Sequence, residues 1–227
     1  TFIVGADKTY RATMRLGYAT TTDDAEGEAL EAQGNLSLCT PEAIAQAAAG
    51  FTGVIEQVPS SFSAIKVDGK RAYAMAREGK EVTLKARQVT VHSLTVGHSV
   101  AGQGFIDVEL VVECSSGTYI RALARDIGAV LGVGGHLVAL TRDRIGPFSV
   151  ESAPRAEDLT EASLLSLAEV ARKIMPVVKV DVDKADDLRH GRAVDAESWP
   201  ADQPLAALEE ESGELVAVVE SRAGASR

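Results

Sequence analysis

Cysteine is nearly missing from this chain: Cys39 and Cys114 are the only two in 227 residues, and no C-x-x-C spacing occurs. That pattern excludes a disulfide framework and a thiolate zinc site, and it suits reduced thiols in a cytoplasmic protein. Long apolar runs are missing too. None approaches the roughly 18–20 residues that a bilayer-spanning helix needs, and no secretory signal pattern opens the sequence. Histidine is scarce, and His92, His98 and His190 stand too far apart to form a ligand cluster. No internal repeat or low-complexity tract appears. No G-x-S-x-G elbow accompanies Ser60, Ser61 or Ser115, which argues against a serine hydrolase. The Gly132-Val133-Gly134-Gly135 run follows a helical pattern and lacks the G-x-G-x-x-G order, which argues against a dinucleotide site.

Positive charge is in deficit, with 23 Lys and Arg against 33 Asp and Glu and a net charge of −10. The deficit is uneven. Residues 1–150 carry a net of −2 and residues 151–227 a net of −8. Within 59–87 the sign reverses to +4, through Lys66, Lys70, Arg71, Arg77, Lys80, Lys85 and Arg87. A phosphate backbone would feel that patch rather than the chain's total charge.

What is present is a mixture of helix and strand patterns. Tyr10–Leu16 alternates as a strand, and the polar Thr20–Gly27 segment reads as a solvated loop, its acids lacking the order of a calcium loop. Thr40 caps a helix that has Pro41 at its first position and runs to Ala49. Residues 59–79 read as an insertion, with a tight turn at Asp68-Gly69 and a helix over Lys70–Glu78. Val82–Leu94 and Phe105–Cys114 read as strands with Gly102 and Gly104 in the turn between, and 144–150 as a short strand. An amphipathic helix is expected over 152–176, ended by Pro176, and a strand over Leu215–Val219. Without regular βαβ alternation the class is α+β.

One stretch stands out. Ser115-Ser116-Gly117-Thr118-Tyr119-Ile120-Arg121 ends the Phe105–Cys114 strand and opens a helix over 118–131, with Thr118 as the expected N-cap. Arg121 then sits in the first turn, where a cation faces the positive end of the helix dipole at a cost of a few tenths to about 1 kcal/mol. A nearby anion would offset that cost. Arg121 could pair with a local acid such as Glu113 or Asp126, or it could serve a site.

Four segments occur in an order that resembles the bacterial TruB family, the tRNA pseudouridine synthases acting on the T-loop uridine. They are Asp7-Lys8-Thr9-Tyr10-Arg11, Pro59-Ser60-Ser61-Phe62-Ser63-Ala64-Ile65-Lys66, the Gly117-Thr118-Tyr119-Ile120-Arg121 turn, and Gly134-Gly135-His136 with Leu140 and Arg142. The resemblance covers roughly residues 5–150. The family's nucleophilic aspartate lies in a G-x-L-D-P-x-A-T-G motif that does not occur in these residues. The sequence, beginning at Thr1-Phe2-Ile3, is therefore expected to be a portion starting inside a domain and inactive by itself.

The resemblance implies a pseudouridine synthase fold, a mixed or antiparallel sheet flanked by helices, in residues 1–150, with 59–87 as an RNA-gripping insertion. It implies a helical connection over 151–178 and a small PUA-like RNA-binding β domain over 179–227. Arg121 would pair with the nucleophilic aspartate, fixing and ionising it through a planar fork that lysine cannot form. Tyr119 and Tyr10 would line the pocket, one stacking on the flipped uracil, with the Tyr119 hydroxyl as the candidate acceptor of the C5 proton. Leu140 would wall the pocket, and Lys66, Lys70, Arg71 and Arg77 would grip the T-arm backbone. His136 is expected to serve structure through a turn or backbone contact. The implied partner is tRNA, bound by a monomer without cofactor, metal or membrane.

Overall fold

The computed structural model describes residues 2–31, 34–62, 66–67, 70–71, 84–196 and 198–220. They fall into two compact units, Ile3–Glu151 and a second beginning at Ser152.

The first unit is α+β. Its strands are β1 (Lys8–Leu16), β2 (Gly53–Gln57), the short β3 (Lys66–Val67) and β4 (Lys70–Arg71), β5 (Arg87–Gly102), β6 (Phe105–Cys114), β7 (Gly135–Ile145) and β8 (Phe148–Ser149). Its helices are α1 (Pro41–Ala49) and α2 (Ile120–Val130). Six strands form one antiparallel sheet in the order β2-β5-β6-β1-β7-β8.

Alternation decides which face is buried. On β1, Ala12, Met14 and Leu16 point into the core with Val108, Leu110 and Val112 of β6, while Arg11, Thr13 and Arg15 point the other way. Ile120, Leu123 and Ile127 of α2 and Ile44 of α1 close that core, and full burial of each such side chain contributes about 1.5–3 kcal/mol. Thr40 caps α1 as expected, its hydroxyl accepting from the Ala43 N–H at 3.2 Å.

The helix expected from Lys70 does not start there. Lys70 and Arg71 are strand residues paired with Val67 and Lys66, because the Asp68-Gly69 pair separates two short segments that hydrogen-bond to each other. Residues 72–80, with Arg77, lie outside the described residues. Of the strand expected over Val82–Leu94, residues 82–83 lie outside the described residues and 84–86 precede the strand, which runs over Arg87–Gly102; the turn narrows to Gln103 and Gly104, the latter at φ +80°. The strand expected over 144–150 is the end of a longer one: β7 spans Gly135–Ile145, and a tight turn with Gly146 at φ +51° leads to β8.

The second unit contains α3 (Leu167–Ile174), β9 (Val177–Val180), α4 (Val182–Arg189), β10 (Pro204–Glu209) and β11 (Leu215–Glu220). Its sheet has the order β11-β10-β9, with β9 and β10 parallel. Leu205, Ala207, Val178, Val180 and Ala185 form its core, with Trp199 packed against it. The helix expected over 152–176 shrinks to Leu167–Ile174, preceded by 3-10 turns at Val150–Ser152, Ala156–Asp158 and Glu161–Ser163. Ser166 and Glu169 form a capping box that starts the helix there, and Thr160 and Ser163 form another upstream. Local polar bonds thus break the apolar period into pieces.

Candidate active site

The first turn of α2 is where the sequence concentrates its chemistry. The helix starts one residue later than expected: Tyr119 occupies the N-cap position without a side-chain capping bond, and the Thr118 hydroxyl instead donates to the Ser115 carbonyl at 3.0 Å. Gln57, at the end of β2, supplies what the cap lacks. Its amide oxygen accepts from the Tyr119 N–H at 2.8 Å, and its amide nitrogen donates to the Tyr119 carbonyl at 3.1 Å.

The anion that offsets Arg121 is neither Glu113 nor Asp126. Glu113 pairs with Arg144, and Asp126 with Arg125. Arg121 donates to the Asp24 carboxylate at 2.6 Å, to the Thr22 carbonyl at 3.3 Å and to the Phe62 carbonyl at 2.6 Å. A guanidinium has five N–H donors, so two remain without a partner among the described residues.

The Thr20–Gly27 segment is therefore not a solvated loop. Asp23 is buried, at φ +60°, and accepts from Arg125 at 3.1 Å, while its carbonyl accepts from the Leu137 N–H. Asp24 bridges to Leu137 as a one-residue extension of the sheet beside β7. Burial pushes the Asp24 carboxyl up, but hydrogen bonds from the Thr22 hydroxyl, Arg121 and the Glu26 N–H outweigh it and leave its pKa below the ordinary carboxylate value. Two acids that look solvent-facing in sequence thus hold two consecutive-turn arginines of one helix.

Glycines seat that helix on the sheet. A Cβ on Gly135 would lie 2.5 Å from the Ala124 carbonyl oxygen, and one on Gly128 would lie 2.4 Å from the backbone of Gly134 and Gly135. The contact is main chain against main chain. His136, next in sequence, is buried, and its Nδ1 lies 3.0 Å from the Tyr18 carbonyl. A carbonyl can only accept, so Nδ1 carries the proton. Its backbone contact is the kind expected of a structural residue. Burial is the largest influence on His136 and lowers its pKa.

Tyr10 and Leu140 lie on the sheet face that α2 covers. The register opposes Tyr10 to Arg142 and Ala12 to Leu140, so Leu140, Arg142 and Tyr10 share the face of the core residue Ala12. Going from Leu16 to Tyr10 that face passes from buried to partly open, and Leu140 is 48% exposed. Burial and the neighbouring Cys114 raise the Tyr10 pKa against the opposing hydrogen bond from Arg142, keeping the phenol protonated near neutrality. A shallow depression of about 340 Å³ over Arg11, Thr13, Glu109, Val111 and Thr141 lies on the opposite face and belongs to none of this.

Lys66, Lys70 and Arg71 are brought together by the β3–β4 pairing. Asp24 and Gln57 have no role assigned from sequence, while Arg87 is named there only within the basic patch and Arg142 only within its motif. Arg87 faces Gln57 across the β2–β5 ladder, and its guanidinium carbon lies 5.9 Å from the centre of the Tyr119 ring, within cation–π range. In sequence Asp24 is one acid of the polar Thr20–Gly27 segment, and neither it nor Gln57 carries a signal of its partner. Among the described residues no three His, Cys, Asp or Glu side chains converge as a metal site, and no helix is long and apolar enough to cross a membrane.

Known proteins share this arrangement of segments. Residues 1–120 match the model of the TruB family pseudouridylate synthase N-terminal domain, and residues 121–182 that of the tRNA pseudouridylate synthase B C-terminal domain. The chain is 47% identical over 230 residues to tRNA pseudouridine synthase B of Paenarthrobacter aurescens, spanning 96% of this chain and 73% of that protein. It is 46% identical over 235 residues to the protein of the same name from an Arthrobacter species, spanning 99% of this chain and 76% of that one. A chain in the crystal structure of a Cbf5-Nop10-Gar1 complex superposes with a TM-score of 0.65 at 23% identity, over 97% of this chain and 61% of that one, and so shares the fold. The family models and the curated relatives together establish that this chain belongs to the TruB family of pseudouridylate synthases.

Proposed function

We propose that the protein isomerises the T-loop uridine of tRNA to pseudouridine, breaking the bond between uracil N1 and the ribose, turning the base, and rejoining it through C5, with the C5 proton lost to a base and N1 taking up a proton so that the product is an isomer of the substrate. The observation that carries this reading is the Arg121 guanidinium, fixed by Asp24 and two backbone carbonyls, with two donors that have no partner among the described residues and could meet a second carboxylate. Asp24 is not the nucleophile in this reading. It already accepts from Thr22, Glu26 and Arg121, so three of its roughly four lone-pair sites are engaged in holding the loop and the guanidinium.

In the same reading Tyr119 meets the flipped base and receives the C5 proton, Tyr10 and Leu140 form the pocket wall, and Lys66, Lys70, Arg71 and Arg77 hold the T-arm backbone. The protein works as a monomer on tRNA, and residues 179–227 act as a PUA-like RNA-binding domain. These 227 residues contain no match to the family's nucleophile motif. They therefore bind T-arm RNA without turnover unless a carboxylate reaches Arg121 from a segment carrying that motif.

The experiment is tritium release from C5-labelled uridine in a T-arm hairpin. It uses the chain alone and the chain preceded by the G-x-L-D-P-x-A-T-G segment, in its Asp and Asn forms. Release only with the Asp form is expected. Tight hairpin binding without release in any form would replace the reading with that of a non-catalytic RNA-binding protein.

A further inference from the structure

Among the described residues, the hydrogen-bond partners of Arg121 and Tyr119 from outside α2 come from two short segments, Thr22–Asp24 and a strap over residues 57–62. From this strap the Gln57 side chain holds the Tyr119 backbone, the Val58 carbonyl accepts from Arg125 at 2.8 Å, and the Phe62 carbonyl accepts from Arg121. Gln57 is the strap's anchor. It is 1% exposed, and both polar atoms of its amide are consumed by one residue 62 positions away.

A primary amide presents a donor and an acceptor side by side, the pattern needed to pair with both the N–H and the C=O of one residue as a strand neighbour would. Tyr119 needs that pairing because it makes no side-chain cap, and its carbonyl also accepts the first helical bond, from the Leu123 N–H at 3.2 Å. Gln57 therefore fixes the backbone from which the Tyr119 ring and, two residues on, the Arg121 guanidinium project. Arg87, opposite Gln57 in the ladder, approaches the Tyr119 ring, so the same pair of strand ends holds both the backbone and the side chain of Tyr119.

We infer that Gln57 is a positioning residue of the isomerase: its amide sets the start of α2 and, through it, the placement of Tyr119 and Arg121 against the uridine. This inference rests on the proposed function for its catalytic consequence and on the hydrogen-bond geometry for its structural one.

The test compares the intact protein with Gln57→Glu and Gln57→Leu. The Glu side chain keeps an acceptor for the Tyr119 N–H and, ionised, loses the donor for its carbonyl; Leu loses both. Amide exchange at Tyr119 should be slow in the parent, intermediate in Gln57→Glu and fast in Gln57→Leu, measured where melting curves show each variant fully folded. In the tritium-release assay, Gln57→Leu should lower kcat by roughly 10- to 100-fold with KM for the hairpin changed less than about threefold, and Gln57→Glu should fall between.

Unchanged exchange at Tyr119 in a folded Gln57→Leu protein would overturn the inference. So would a loss confined to KM. Should Gln57→Leu fail to fold, Gln57→Glu carries the same comparison, and parental exchange and kcat in it would overturn the inference. A parent that releases no tritium fails the proposed function instead, and the exchange comparison then decides the positioning role alone.

Discussion

Arg121 and Asp24, 97 residues apart in sequence, meet through a 2.6 Å charge-assisted hydrogen bond at the first turn of α2. The side chains are 24% and 23% exposed, so the pair is screened from water on most sides. A cation that the helix dipole disfavours is thereby made a fixed part of the fold.

Asp24→Asn should lower folding stability by about 1–2 kcal/mol near neutral pH, since the mutation weakens a charge-assisted bond to a partly buried guanidinium. The Asp24 pKa is depressed in the folded protein, so the unfolded chain takes up the proton first as pH falls. The contribution is complete above the ordinary carboxylate value of about 4 and fades as pH drops through the lower folded value. Urea denaturation of parent and variant should show a constant gap at pH 6–7 and a shrinking one below about pH 4; a gap that widens on acidification would contradict the assignment.

Gly135→Ala places a methyl group where the Ala124 carbonyl oxygen is 2.5 Å away. The helix must lift or the strand must yield, at about 1–3 kcal/mol. Thermal melting should register a lower midpoint, and hairpin turnover should fall as well if α2 moves with its first turn.

Arg121→Lys keeps the charge and loses the fork. It cannot reach Asp24 and both carbonyls together, so in a catalytically complete protein kcat should fall by about 100-fold while hairpin affinity changes by far less. Equal losses in both would assign Arg121 to RNA binding rather than to the reacting centre.

Replacing Lys70 and Arg71 with Ala should weaken T-arm hairpin binding and make log K less steep in log salt, by about 1–2 in slope for the charges removed. Titrations across a range of potassium chloride would show it. An unchanged slope would remove this hairpin from the phosphate contacts.

Much of this architecture is legible in the residues because it depends on local chemistry. The alternation in Phe105–Cys114, the Thr40-Pro41 helix start and the strand over Leu215–Glu220 follow from side-chain periodicity and capping. Four ordered motifs place Tyr10, Tyr119, Arg121 and Leu140 in one family frame. What could not be read are pairings across long stretches of chain. Asp24 looks like one acid in a polar loop until Arg121 is folded against it, and Gln57 looks like the end of an ordinary strand until Tyr119 supplies its partner. The helix expected over 152–176 misleads for the opposite reason: its apolar spacing is real, but two capping boxes interrupt it.

The engagement of Asp23 with Arg125 and of Asp24 with Arg121 also shapes the field in front of the site. A polyanion approaching a chain of net charge −10 would ordinarily be repelled at long range. Here Asp24 contacts Arg121 while Asp23 and Asp126 share Arg125, so two guanidinium charges offset two of the three carboxylate charges beside the start of α2 and weaken their long-range field. At a Debye length of about 8 Å an approaching phosphate feels mainly the charges close to it, and the sequence of residues 59–87 carries a local net of +4.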